Sequence, residues 1–149
     1  MAAHAKSREA GLTAILGGRT IVYGRGARDG ELENAVRDGL PVRSFDHVAA
    51  RLDLSVAKLA ELIGVAPRTL ARRKHEKTLS AVESDRLVGV ARIASLAEET
   101  LGTREHARGW LRDANRALGG VPPLNCLDTD PGRRRVEELL LQISHGIFS

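Results

Sequence analysis

From residue 44 to residue 143, apolar side chains recur at three- and four-residue intervals, the spacing of helices that each bury one face. Residues 31–38 hold good helix formers and then meet Gly39 and Pro41, a cap followed by a stop. Ser44 is placed to cap a second helix that carries Phe45, Val48, Ala49 and Leu52 on one stripe. Ser55 is placed to cap a third with Val56, Leu59, Ala60 and Ile63 aligned, and Gly64 ends it. A fourth opens at Ala66-Pro67, where proline's missing N–H costs nothing, and runs to about His75.

Ser80 then precedes the longest helix, 81–101, with Leu87, Val90, Ala94, Ala97 and Leu101 on its apolar face. Gly102 ends it and Thr103 caps the next, whose broad apolar face is expected to run through Ala107, Trp110, Leu111, Ala114, Ala117 and Leu118. Gly119-Gly120-Val121-Pro122-Pro123 forces a turn, a short turn at 124–127 follows, and Asp130-Pro131 opens a last helix with Val136, Leu139, Leu140 and Ile143 aligned. The first 30 residues differ. Gly11, Gly17, Gly18, Gly24, Gly26 and Gly30 argue against a long helix there, since glycine costs roughly 1 kcal/mol per helical position. Thr20-Ile21-Val22-Tyr23 reads as a short strand or an extended arm of a loosely held appendage.

Composition narrows the class to all-α. The only aromatic residues are Tyr23, Phe45, Trp110 and Phe148, so the core is left to Leu, Val, Ile and Ala, which suits packed helices better than a β-sandwich. No apolar run reaches the roughly 18–20 residues that cross a bilayer, and the start lacks a signal-peptide core, so no membrane partner and a cytoplasmic location are expected. Cys126 is the single cysteine, which excludes an intrachain disulfide and a multi-cysteine metal site.

The net charge of +4 is concentrated. Residues 1–40 carry six basic and five acidic side chains, 41–80 eight and four, and 81–149 nine and ten. Within the middle block, Arg68, Arg72, Arg73, Lys74 and Lys77 oppose only Glu76, a local excess that favours a polyanionic partner over a merely solvated face. This excess falls on the second of two short helices joined by Gly64-Val65-Ala66, the arrangement of a helix-turn-helix whose second helix enters a major groove. With Leu70 turned inward, Arg68, Thr69, Arg72 and Arg73 lie on outward or flanking faces. Arginine can fork onto guanine, Thr69 can meet a thymine methyl or a phosphate, and Lys74 and Lys77 suit phosphates. Ser55, at the start of the preceding helix, can reach a phosphate through its hydroxyl and neighbouring N–H. The alternatives are a pair of helices that only pack, and a basic helix that serves a protein interface.

Nothing resembles an active site. His4, His47, His75, His106 and His145 are scattered without the spacing of a zinc hydrolase. Cys126 sits in an apolar turn that suits a structural thiol, while Asp128 and Asp130 read as helix-start residues. Gly17-Gly18-Arg19-Thr20 lacks the lysine of a phosphate loop. A metal, a cofactor and enzymatic activity are therefore not expected.

Several motifs stand in a fixed order: Thr69-Leu70-Ala71-Arg72-Arg73, then Ala114-Asn115-Arg116-Ala117-Leu118-Gly119-Gly120, Pro123-Leu124, Leu127-Asp128-Thr129, Asp130-Pro131-Gly132 and Ile143-Ser144-His145-Gly146. In these, residues 40–149 resemble the Xre/MbcA/ParS antitoxins. The resemblance implies a type II antitoxin whose cognate toxin is a NAD-consuming RES-domain enzyme. It implies a helix-turn-helix half that binds operator DNA and represses its own operon, and a helical C-terminal domain that covers the toxin's active-site entrance. It also implies self-association as a homodimer or within a larger toxin-antitoxin assembly. The implied division is an N-terminal extension at 1–40, an Xre-like helix-turn-helix at 41–80 and a toxin-binding domain at 81–149. The toxin-facing residues it implies are Leu124, Arg133, Arg134, Ser144, His145, Gly146, Ile147, Phe148 and Ser149. The block 81–149 is nearly neutral and ends in apolar Ile147-Phe148, which suits docking in a partner's cleft or folding back on its own core. A stand-alone helix-turn-helix regulator, with C-terminal helices that dimerise or sense a ligand, is the alternative reading.

Overall fold

The computed structural model of the chain describes residues 2–25 and 31–146. Among them are nine α-helices: α1 (Ala2–Ile15), α2 (Arg19–Tyr23), α3 (Leu32–Asp38), α4 (Val42–Leu52), α5 (Val56–Leu62), α6 (Pro67–Glu76), α7 (Ala81–Leu101), α8 (Arg104–Arg112) and α9 (Asp130–Ser144). Two 3₁₀ turns, Arg116–Leu118 and Pro123–Cys126, lie between the last two, and no strand forms among the described residues. The all-α reading holds.

The axis of the molecule is α7, packed against α1, α3, α4, α8 and α9. Its start is fixed by reciprocal capping: the Ser80 hydroxyl accepts from the Glu83 N–H at 3.1 Å, and the Glu83 carboxylate accepts from the Ser80 N–H at 2.8 Å. Leu87, Val90, Ala91, Ile93, Ala94 and Ala97 are buried along it, more of its circumference than one amphipathic stripe provides.

Helices α5 and α6 form the helix-turn-helix. Ser55 caps α5 as expected, accepting from the Lys58 N–H at 3.1 Å. Gly64 turns the chain at φ +70°, where a side chain would be strained and would crowd the Arg86 guanidinium. Pro67 opens α6 at its first position, and Leu70 is buried.

Three local expectations give way. The N-terminal region is helical rather than a loose arm: Leu12, Ile15, Leu16 and Val22 are buried in the common core. Its glycines work at the joints, with Gly17 and Gly18 at positive φ separating α1 from α2, while Gly11, within α1, lets that helix approach Ser95 of α7. Residues 20–23 therefore belong to a helical turn, not a strand.

Ser44 is not a cap. It lies inside α4, buried, with its hydroxyl unpartnered, and the helix starts after Pro41. A short antiparallel bridge explains the shift: Pro41 pairs with Thr78, the Val42 N–H donates to the Lys77 carbonyl, and the Leu79 N–H donates to the Leu40 carbonyl. Likewise α8 stops at Arg112 instead of continuing to Leu118. The Asn115 side chain accepts from the Ala117 N–H and Asn115 bridges to Val121, so the chain leaves the helix through a 3₁₀ turn that still buries Leu118.

Candidate nucleic-acid interface and partner surface

With Leu70 held in the core, helical geometry turns Arg68 and Arg72 to the opposite side of α6, where both are exposed. The Arg68 side chain makes no hydrogen bond or ion pair among the described residues, whereas Arg72 makes a long, exposed pair with Glu76 at 3.7 Å. Such a surface pair is worth roughly 0–1 kcal/mol and is readily exchanged for a phosphate or a base edge. Thr69 is half-buried on the flank. Lys74 is exposed at the rim of an apolar groove formed by Val56, Ala60, Val65 and Leu70. Lys77 caps the helix at φ +67°, a left-handed position usually given to glycine. Ser55 is exposed at the start of α5.

Arg73 points elsewhere. Its guanidinium donates to both carboxylate oxygens of Glu83 at 2.7 and 3.1 Å, and to Glu76 at 3.1 Å. Only 18% of the Arg73 side chain and 11% of the Glu83 side chain are exposed, so the fork–fork contact rivets the end of α6 to the first turn of α7. The hydrogen bonds it donates to Glu83 and then to Glu76 raise the Arg73 pKa above its ordinary value. Burial pushes the Glu83 carboxyl upward, but bonds from Arg73 and from the Ser80 N–H outweigh it and hold this acid below the usual range.

The other half is built on α8, the 3₁₀ turns and α9. Leu124 is buried and shapes the turn from below. Arg133 is folded inward: it lies over Gly89 of α7, its guanidinium donates to the Leu127 carbonyl at 2.9 Å, and 13% of its side chain is exposed. Arg134 is exposed and pairs with Asp130 at 3.0 Å. Thr129 caps α9 by accepting from the Gly132 N–H at 3.0 Å. Ser144, His145 and Gly146 are exposed at the end of α9, while Ile147, Phe148 and Ser149 lie outside the described residues. Val121 projects from the glycine turn. Arg68 and Arg72 thus share the open side of α6, while Arg73 faces α7 and Lys74 borders the apolar groove.

Two arginines that sequence reasoning passed over connect the halves. On α8, Arg108 donates to the Arg51 and Ala50 carbonyls at 2.9 and 3.0 Å. Arg112 donates to the carbonyls of Leu52, at 3.0 Å, and Asp53. No local signal marks either residue, because the acceptors lie 57–60 positions earlier in the chain. Among the described residues, no group of three or more His, Cys, Asp or Glu side chains is arranged to hold a metal ion. No helix of the structure is long and apolar enough to cross a membrane.

Comparison with known proteins follows the same division. Residues 31–92 match the family model of the antitoxin Xre-like helix-turn-helix domain, and residues 96–146 match that of the antitoxin Xre/MbcA/ParS C-terminal toxin-binding domain. An Antitoxin Xre of Pseudomonas putida is 32% identical over 121 residues, covering 80% of this chain and 75% of that protein. An Antitoxin Xre of Photorhabdus laumondii is 30% identical over 120 residues, covering 79% and 81%. A Prs ADP-ribosylating antitoxin of a Sphingobium species is 25% identical over 124 residues, covering 76% and 78%.

Proposed function

The chain belongs to the Xre family of antitoxins, and from that premise we propose that it neutralises a cognate RES-domain toxin and represses its own operon by binding operator DNA. The observation that carries this reading is the presence, on one chain and in order, of an exposed basic recognition helix and a matched toxin-binding segment. The name of the Sphingobium relative links such antitoxins to ADP-ribosylation, a transfer that uses NAD and so agrees with a NAD-consuming partner.

On the DNA side, Arg68 and Arg72 read base edges, while Ser55, Thr69, Lys74 and Lys77 hold phosphates. Arg73 serves this surface from behind, by anchoring α6 to α7 through Glu83. On the toxin side, the turn carrying Leu124 and the end of α9, with Ser144, His145, Gly146 and the following Ile147, Phe148 and Ser149, close the toxin's active-site entrance. Arg134 offers an exposed charge to an acidic rim, and Arg133 holds the turn to α7. The protein acts by occupying surfaces rather than by turnover, and as a homodimer it places two recognition helices on the half-sites of a palindrome.

Co-expression with the neighbouring reading frame tests the neutralising role. The expected result is relief of toxicity and co-purification of the two chains, with both lost when 144–149 are removed. A neighbour whose toxicity is unchanged by this chain overturns it. A gel-shift titration against the duplex upstream of its own coding sequence tests repression, and Arg68→Ala is expected to weaken binding by about 1–3 kcal/mol.

A further inference from the structure

Helix α4 ends at Leu52, and the last carbonyls of a helix have no partner within it. Here Asp53 takes the left-handed conformation usually given to glycine, φ 51° and ψ 47°, and turns the chain so that its N–H donates to the Ala50 carbonyl at 3.1 Å and the Leu54 N–H to the Ala49 carbonyl at 2.8 Å, which leaves the Arg51, Leu52 and Asp53 carbonyls without a backbone partner among the described residues. Four successive carbonyls at this corner, Ala50, Arg51, Leu52 and Asp53, receive guanidinium N–H groups from Arg108 and Arg112 of α8. Arg112 also lies 3.7 Å from the Asp53 carboxylate. The charge sign is favourable, since the C-terminal end of a helix carries partial negative charge.

The corner leads directly into the DNA reader. Ser55, the cap of α5, stands two residues beyond Asp53, and α5 passes through the turn at 63–66 into α6. A second contact reaches the same place from the same side: Lys58, on the first turn of α5, donates to the Asn125 side chain in the 3₁₀ turn at 3.4 Å.

We propose that Arg108 and Arg112 are positioning residues for DNA recognition: the segment matched to toxin binding sets the placement of α5 and α6 by gripping the α4–α5 corner. This rests on the DNA-binding reading above. The arginines touch no base or phosphate; they act through the corner. A planar fork can serve two adjacent carbonyls at once, and an ammonium group cannot reproduce that geometry although it keeps the charge.

The test uses the full chain, the duplex upstream of its own coding sequence and a random-sequence duplex of equal length, titrated at several salt concentrations well below each variant's melting temperature. Arg108→Lys and Arg112→Lys are expected to leave the salt slope unchanged while lowering the upstream-to-random affinity ratio about tenfold. Arg112→Ala is expected to do the same, also without a change in slope. An unchanged ratio in the folded lysine variants overturns the proposal, because the grip would then be scaffolding alone. A fall in slope of about one in Arg112→Ala overturns it differently, by making the arginine a direct phosphate contact. Arg68→Ala separates this failure from that of the underlying reading. Where it weakens binding and the Arg108 and Arg112 variants do not, only the positioning role falls; where wild type and Arg68→Ala bind both duplexes alike, sequence-specific DNA recognition falls with it.

Discussion

Arg72 and Arg73 are adjacent in sequence and opposite in role. Arg72 shares the open side of α6 with Arg68 and is held only by an exposed pair with Glu76, whereas Arg73 is committed to the buried Glu83. Binding and stability distinguish them: Arg72→Ala is expected to weaken binding to the upstream duplex by about 1–3 kcal/mol with little change in melting temperature, whereas Arg73→Ala is expected to lower the melting temperature. Glu83 makes the fold acid-sensitive. Its folded pKa is depressed, so the stability it contributes is present above the unfolded-state value of about 4.3 and is lost as pH falls through the folded value. Urea titrations between pH 7 and pH 3 should show this loss in the wild type and a flatter profile in Glu83→Gln. The excess of charge on α6 was legible in the sequence. The inward turn of Arg73 was not, because it depends on how the chain folds between α6 and α7.

Helix existence was the most legible property, and the reason is local chemistry. Ser55, Ser80, Thr103 and Thr129 cap helices where their side chains accept the N–H three residues on, and Pro67 and Gly102 mark a start and an end. Where a distant partner intervenes, the local signal loses. Ser44 has cap chemistry, yet the bridge between Pro41 and Thr78 starts α4 earlier and buries it. The N-terminal glycines misled in the other direction, since they sit mainly between helices, and Leu16 behind them is fully buried. If α1 is part of the core, Leu16→Ala should cost about 2–5 kcal/mol in denaturant unfolding. A change below about 0.5 kcal/mol, the level of an ordinary surface substitution, would restore the loose-arm reading.

At the scale of the whole molecule, the two family matches meet within one continuous helix, because residues 92 and 96 both lie inside α7. That helix contacts α1, α3 and α4 as well as α8 and α9, so its burial depends on both matched segments. A single calorimetric transition is expected, with van't Hoff and calorimetric enthalpies equal; two resolved transitions would show that the halves are energetically separate. The order of the motifs made the two-part organisation readable, but the sharing of α7 follows only from the packing.

For anyone building hybrids between relatives, this continuity decides where to splice. A joint at 93–95 follows the family boundaries yet cuts through a rod whose sides were fitted to different neighbours. Gly102, at φ +89° with open space around its Cβ position, leaves that rod intact. A graft there keeps the foreign α8 outside the old clasp unless it brings guanidinium groups in the places of Arg108 and Arg112, so compatibility between donors is written at the α4 end as much as at the toxin.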